Sequence, residues 1–262
     1  MSESKLLSFW DHLEELRWML VRSAIALVIF AIGSFAFMPW IFDHLILAPA
    51  KSDFFLYDGL CRLSRAFPVL LPDLCDNEFS IQMINYELTA QFMRHLSTSF
   101  WVAFILLCPY LLFELWRFIS PALYENEKKN VRWVFLFGSA MFFIGCSIGY
   151  AVIFPMTLRF LYTYSLSDVI QNQVSLDSYM DIFLMMILAM GLIFELPLIA
   201  WLLSQIGILK KSFFNKYRRY AVVVLVIVAA VITPTGDPFT LAVVFLPLYG
   251  LYELSRVFVK AG

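Results

Sequence analysis

Charge is scarce in this chain of 262 residues: Asp, Glu, Lys and Arg make up 15 % of it and nearly cancel, at a formal net charge of −1. Binding to a polyanion such as nucleic acid needs a basic surplus, so no such partner is implied. Motifs that mark catalysis are missing as well. There is no HExxH, no CxxC, no GxSxG and no glycine-rich phosphate loop ending in GKS or GKT, which argues against a metallohydrolase, a serine hydrolase and a nucleotide-driven machine. The expectation is a protein that is not an enzyme, needs no metal or cofactor, and draws any work from an ion gradient or from binding.

What the chain has instead is apolar sequence, 61 % of its residues, gathered into six runs: Met19–Phe37, Leu96–Phe113, Trp133–Phe154, Ile182–Leu203, Tyr220–Thr233 and Phe239–Tyr252. About 20 helical residues at about 1.5 Å each cross a hydrocarbon core of roughly 30 Å, so the first four runs can span a bilayer. The last two hold 14 residues each and imply short final helices, a thinned bilayer or an incompletely crossing hairpin. The expected fold is an all-α integral membrane protein forming one domain over residues 1–262.

Basic residues give this expectation a direction. Three fall in 1–22, four in 114–132, five in 204–219 and two in 253–262, leaving five for all other connections. Basic residues flanking spans stay in the cytoplasm, so both termini are expected inside and the segments 38–95 and 155–181 outside. Met1–Arg17 carries four acidic residues and no apolar core before a cleavage site, unlike a secretory signal. Leu6, Trp10, Leu13 and Arg17 share a helical face, which suggests a surface helix leading into the first span. Cys108 and Cys146 lie within runs and suit packing. Cys61 and Cys75 both fall in the outer segment, where an oxidising compartment allows a disulfide between them.

Four polar features stand out. Ser120 before Pro121 suits an N-cap followed by proline at the first helical position, so a helix is expected to start there. On residue types alone, the following Glu125 and Glu127 with Lys128 and Lys129 read as a solvated turn. Against that stand the acidic residues of the N-terminal set on the same side, since two acidic elements at one face suit a cationic ligand. Glu195 is the only charged residue of its run, about 12 Å from the run's inner end; an intramembrane carboxylate is expensive unless paired, protonated or wet, and marks a functional position. Glu114 and Arg117 are expected to pair locally, and His44 and His95 to be solvated at the outer boundary.

His12-Leu13-Glu14-Glu15-Leu16-Arg17, Phe118-Ile119-Ser120-Pro121-Ala122-Leu123-Tyr124 with Glu127, Phe194-Glu195-Leu196-Pro197, and Thr233-Pro234 with Asp237 together resemble the TatC family, the large polytopic subunits of the twin-arginine protein translocase. The resemblance runs through all six runs in order. It implies six membrane helices with both termini cytoplasmic and the last two short, a multi-pass location in the bacterial cytoplasmic (inner) membrane, and export of folded proteins driven by the protonmotive force. Implied partners are twin-arginine signal peptides, single-span subunits of the TatA and TatB type, further copies in the complex, and the lipid bilayer. By resemblance, Glu15 and Glu127 meet the arginine pair with Phe118 beside them, and His12, Arg17 and Tyr124 belong to the same signal-peptide site. Glu195 is the polar position met by single-span partners, and Pro49, Pro109, Pro121 and Asp237 are motif positions. The sequence departs from many relatives at Met19, where a second basic residue is common. The rival reading is a proton-coupled secondary transporter with Glu195 as relay, which needs a continuous polar path and a matched pair of broken helices that the sequence does not display.

Overall fold

Helix α1, Phe9–Ile41, runs for 33 residues without interruption, about 50 Å at about 1.5 Å per residue. The computed structural model describes residues 9–66, 81, 83–119, 131–167, 172–205, 207–233 and 237–259. Trp10, Leu13 and Arg17 are therefore not on a separate surface helix but on α1 itself, and Leu6 lies outside the described residues. No Gly or Pro lies between Phe9 and Ile32 to break the helix, so the turn carrying His12 to Arg17 is simply the first part of α1. Ile25, Val28, Ile29 and Ile32 are exposed along α1, the outward apolar surface of a helix that faces lipid.

Helix α2 (Phe55–Ala66) and helix α3 (Ala90–Ile119) follow, and α3 returns along α1. Two ring stacks fix their antiparallel register: His12 on Phe118 and Phe35 on His95, each with centroids 4.1 Å apart. The residue numbers of both pairs have the same sum, so the helices keep step from end to end. The second stack has a backbone cause. Pro39 lacks an N–H, which leaves the Phe35 carbonyl without its intrahelical donor, and the His95 Nε2 sits 3.0 Å from that oxygen. His95 is thus tied to α1 rather than solvated, whereas His44 is exposed, with Nδ1 3.1 Å from the Trp40 carbonyl.

Between α1 and α2 the backbone leaves regular α-helix, through a π-turn at Phe42–Ile46 and a 3₁₀ turn at Ala48–Ala50 that contains Pro49. Carbonyls there need outside donors, and three tyrosines supply them. Tyr150 donates to Leu45 at 2.9 Å, Tyr179 to Ile46 at 2.5 Å and Tyr57 to Pro49 at 2.5 Å. Arg159, buried, lies over the Tyr57 ring at 5.0 Å. Cys61 on α2 is disulfide-bonded, and Cys108 and Cys146 are buried free thiols; Cys75 lies outside the described residues. A two-residue parallel bridge joins β1 (Met83–Ile84) to β2 (Val174–Ser175), pairing Met83 with Val174.

The third run lies on helix α4 (Val131–Ile148) and a π-turn at Gly149–Ile153, and it ends where helix α5 (Phe154–Thr163) begins, with Pro155 in the first turn. The fourth, expected as one span, is two helices, α6 (Leu176–Ile193) and α7 (Leu196–Gln205), with a turn at Phe194–Glu195. Pro197 explains the break, since its ring displaces the carbonyl of Ile193 and donates nothing to it. The third and fourth runs meet at glycines. A Cβ on Gly145 would stand 2.6 Å from the Met190 carbonyl oxygen, one on Gly191 2.6 Å from Cys146 Sγ, and one on Gly149 3.1 Å from Ile187 Cα.

Helix α8 (Lys211–Ile232) and helix α9 (Pro238–Phe258) have 22 and 21 residues. They outrun the 14-residue apolar runs because helix continues into charged sequence, Lys211–Arg219 in α8 and Glu253–Phe258 in α9. The expectation of short final helices holds for their apolar stretches and not for the helices themselves. Asp237 caps α9 by accepting the Thr240 N–H at 2.7 Å, with Pro238 in the first turn, as helix starts favour. Arg218 of α8 reaches Glu253 at 2.8 Å and Tyr249 at 2.7 Å, locking the two helices together. Among the described residues, five helical stretches are long and apolar enough to cross a membrane, in α1, α3, α4–α5, α6–α7 and α9. The basic first half of α8 sets it apart from them.

Candidate functional site

Helical spacing puts His12, Glu15, Met19 and Arg22 on one face of α1, and Tyr110, Glu114 and Phe118 on one face of α3. Where the faces meet, Arg22 grips Glu114 through two nitrogens, Nη2 at 2.7 Å and Nε at 3.1 Å, and Tyr110 donates to the same carboxylate at 3.0 Å. Glu114 is only 3 % exposed. Its partner is therefore Arg22 of α1, not Arg117, because Glu114 faces inward while Arg117 lies on an exposed part of α3. The planar guanidinium fork suits a carboxylate in this two-point geometry.

Beyond this link the two helices end in a rim. His12 lies flat on Phe118, interplanar angle 18°, and both rings are half-buried. Glu15, one turn from His12, is half-buried too, and Arg17 is exposed. Among the described residues neither Glu15 nor Arg17 has an ion-pair partner. The structure thus brings His12, Glu15 and Phe118 to one end of the α1–α3 pair. Pro121, Tyr124 and Glu127, together with the helix start expected at Ser120–Pro121, lie outside the described residues.

Glu195 occupies the break between α6 and α7 and is 6 % exposed. Among the described residues neither carboxylate oxygen has a hydrogen-bond partner. The nearest glycine on α4 makes room for it: a Cβ on Gly138 would lie 3.3 Å from Glu195 Oε2 and 2.6 Å from Leu198 Cδ2. Below the break, Trp116 of α3 and Trp201 of α7 approach at 6.4 Å between ring centroids. A buried acceptor without a donor is disfavoured by about 1–3 kcal/mol, and this one stands among apolar helices.

Pro49 and Asp237 have local roles, as acceptor for Tyr57 and as helix cap, and Pro109 lies inside α3. No group of three His, Cys, Asp or Glu side chains suited to a metal occurs among the described residues. Sequence reasoning missed Arg22, Tyr110 and Gly138. Arg22 carries the same signal as Glu195, a charge inside an apolar run, and its natural partner was the other charge near a span, Glu114. Nothing in the sequence marks Gly138, whose importance is the proximity of another helix.

The TatC family profile, described as Sec-independent protein translocase protein (TatC), matches residues 11–247. The chain is 34 % identical over 254 residues to the Sec-independent protein translocase protein TatC of Blattabacterium, covering 97 % of this chain and 95 % of that one. It is 33 % identical over 249 residues to the protein of the same name from Helicobacter pylori, covering 95 % and 86 %. A crystal structure described as the twin arginine translocase receptor TatC superposes with a TM-score of 0.72 at 27 % identity, over 94 % of this chain and 97 % of that one, and another in the detergent DDM does so at 0.74 over 95 % and 99 %. Matched over residues 11–247 on a polytopic apolar helical fold, the chain belongs to the TatC family of Sec-independent protein translocase proteins, transport components of the membrane.

Proposed function

We propose that this protein is the signal-peptide-binding subunit of a twin-arginine translocase in a bacterial cytoplasmic membrane, with six spans and both termini inside. Glu15 and Glu127 accept the arginine pair, the His12–Phe118 stack forms the apolar side of the site, and Arg17 and Tyr124 border it. The supporting observation is the rim itself: a half-buried Glu15, without an ion-pair partner among the described residues, one turn from the His12–Phe118 stack. A carboxylate in a partly dry setting favours a guanidinium, which offers two parallel N–H donors, over the point charge of a lysine ammonium. The rim and the basic segments 114–132 and 204–219 lie on one side in this reading, as the distribution of Lys and Arg requires.

Glu195 is the docking point for single-span subunits of the TatA and TatB type, which present a polar donor to it in the apolar layer. The complex contains further copies of the chain and runs on the protonmotive force, because no nucleotide loop is present to supply energy. The test is export of a folded reporter with an Arg-Arg leader in cells whose own copy carries Glu15→Gln or Glu127→Gln. Each change keeps size and removes charge, so export is expected to fall while the protein accumulates normally in the membrane. Unimpaired export in both variants removes the binding assignment. Site-specific crosslinking from position 195 is expected to depend on the single-span subunits, and crosslinking indifferent to them removes the docking role.

A further inference from the structure

A cavity of about 650 Å³ lies at the end of the molecule opposite the rim, where α1 ends and α3 begins. Met38, Phe42, Ile81 and Leu176 form its apolar wall, and Asp43, Lys51 and Arg94 bring charge to it. We propose that this cavity binds the headgroup of a zwitterionic phospholipid bearing a primary amine, with the phosphate at Lys51 and the ammonium at Asp43. The inference goes beyond the translocase reading and does not depend on where signal peptides bind.

Position is the first argument. The cavity sits where helices with lipid-facing apolar surfaces give way to non-helical backbone, the depth at which lipid headgroups stand. Charge is the second. Arg94 is committed to Asp177, at 2.5 Å, and to Asp181. Among the described residues Lys51 and Asp43 join no ion pair, with each other or with any third group. Both are exposed, so among the described residues the cavity offers one available cation and one available anion over an apolar floor.

A headgroup with only a negative charge would satisfy Lys51 and leave Asp43 facing like charge. Asp43 and Lys51 also border a neighbouring cavity of about 470 Å³ to which Asp53 contributes, and this second carboxylate weighs further against an anionic headgroup. A zwitterion matches both signs at once. A primary ammonium, with three N–H donors, can bond directly to a carboxylate and to neutral acceptors such as Asn85 and Gln91, which line the same cavity; a quaternary amine has no such donors. The volume falls in the range of small-molecule sites, about 300–1,000 Å³, and suits a headgroup with the upper part of a chain while the rest of the lipid stays in the bilayer.

Native mass spectrometry of the purified full chain in detergent, titrated with dioleoyl phosphatidylethanolamine, phosphatidylcholine or phosphatidylglycerol, tests this directly. One phosphatidylethanolamine is expected to be retained more strongly than either other lipid. Asp43→Asn and Lys51→Met are each expected to weaken it about tenfold, the loss of one charge-assisted contact. Gln91→Trp, which fills the cavity from an exposed position, should abolish retention with the melting temperature unchanged. Equal retention by all three single variants means non-specific annular lipid and overturns the proposal, as does phosphatidylglycerol or phosphatidylcholine binding as tightly as phosphatidylethanolamine.

Discussion

Replacing Gly145 with Ala asks whether the close approach of α4 to α6 holds the Glu195 break in place. The added Cβ would stand 2.6 Å from the Met190 carbonyl oxygen and 2.7 and 2.8 Å from Phe194 Cβ and Cγ. The Met190 oxygen is backbone and already accepts the Phe194 N–H at 3.0 Å, so no side-chain rotation relieves the clash. Restoring an ordinary contact of about 3.5 Å requires α6 to move by about 0.9 Å. Overpacking of this kind destabilises by about 1–3 kcal/mol, and the better helix propensity of Ala offsets about 0.5–1 kcal/mol.

The net loss is about 0–2.5 kcal/mol, which at about 3 °C per kcal/mol for a chain of this size lowers Tm by up to about 8 °C. The assay is thermal unfolding of the purified protein in detergent, with Gly250→Ala in α9 as the control. Nothing lies within 4 Å of a Cβ at Gly250, so that variant should gain from propensity alone. If Gly145→Ala melts at or above Gly250→Ala, the helices are not in contact as described. Because the displaced group is Phe194, crosslinking from the neighbouring Glu195 to single-span subunits is expected to fall in the same variant.

Three further outcomes are expected. Glu195→Leu should raise Tm by removing an acceptor whose burial is disfavoured by about 1–3 kcal/mol, while export falls; a lower Tm would mean that the carboxylate has a stabilising donor. His95→Ala should destabilise the protein by about 1–3 kcal/mol by orphaning the Phe35 carbonyl, and much less in a Pro39→Ala background, where the backbone N–H of residue 39 is restored; identical losses in both backgrounds, measured as a double-mutant cycle, refute the link. Thiol titration of protein denatured without reductant should find only Cys108 and Cys146, and all four cysteines after reduction; four thiols at the outset would deny the disulfide at Cys61.

Much of the architecture is legible in the sequence because apolar runs and their breaks are local. The run from Leu96 falls within the helix it suggests, the run from Trp133 does so up to the π-turn at Gly149, and Asp237-Pro238 reads directly as a helix start. The misses are cases where a second element decides. Glu114 has Arg117 one turn away, and only the packing of α1 on α3 shows that Arg22 is the nearer charge in space. His95 looks like a solvated boundary residue until Pro39 on another helix is seen to leave a carbonyl unmet. The length of α8 is hidden because helix persists through Lys211–Arg219, where hydropathy drops. Within the candidate site, His12 and Phe118 are far apart in sequence and meet through helix register alone.

The interrupted helices bear on the rival transporter reading, since the third and fourth runs both break, at Gly149–Ile153 and at Phe194–Glu195, and pack on each other. Paired broken helices are a mark of secondary transporters because they expose backbone groups to a substrate at mid-membrane. Where α4 crosses α6 the space between them is closed. Gly145 and Gly191 bring the two helices too close for a methyl group, and Gly149 leaves its neighbours only a tight contact, so there is no room for water or an ion at those crossings. Glu195 faces Gly138 and Leu198, and among the described residues no polar group bonds to it. A relay needs a donor on one side and an acceptor on the other, and among the described residues Glu195 has neither within hydrogen-bonding reach. The same isolation suits a docking point, whose hydrogen bond is completed only when a partner helix arrives, and for that role the tight glycine packing is an asset because it keeps the acceptor in a fixed place.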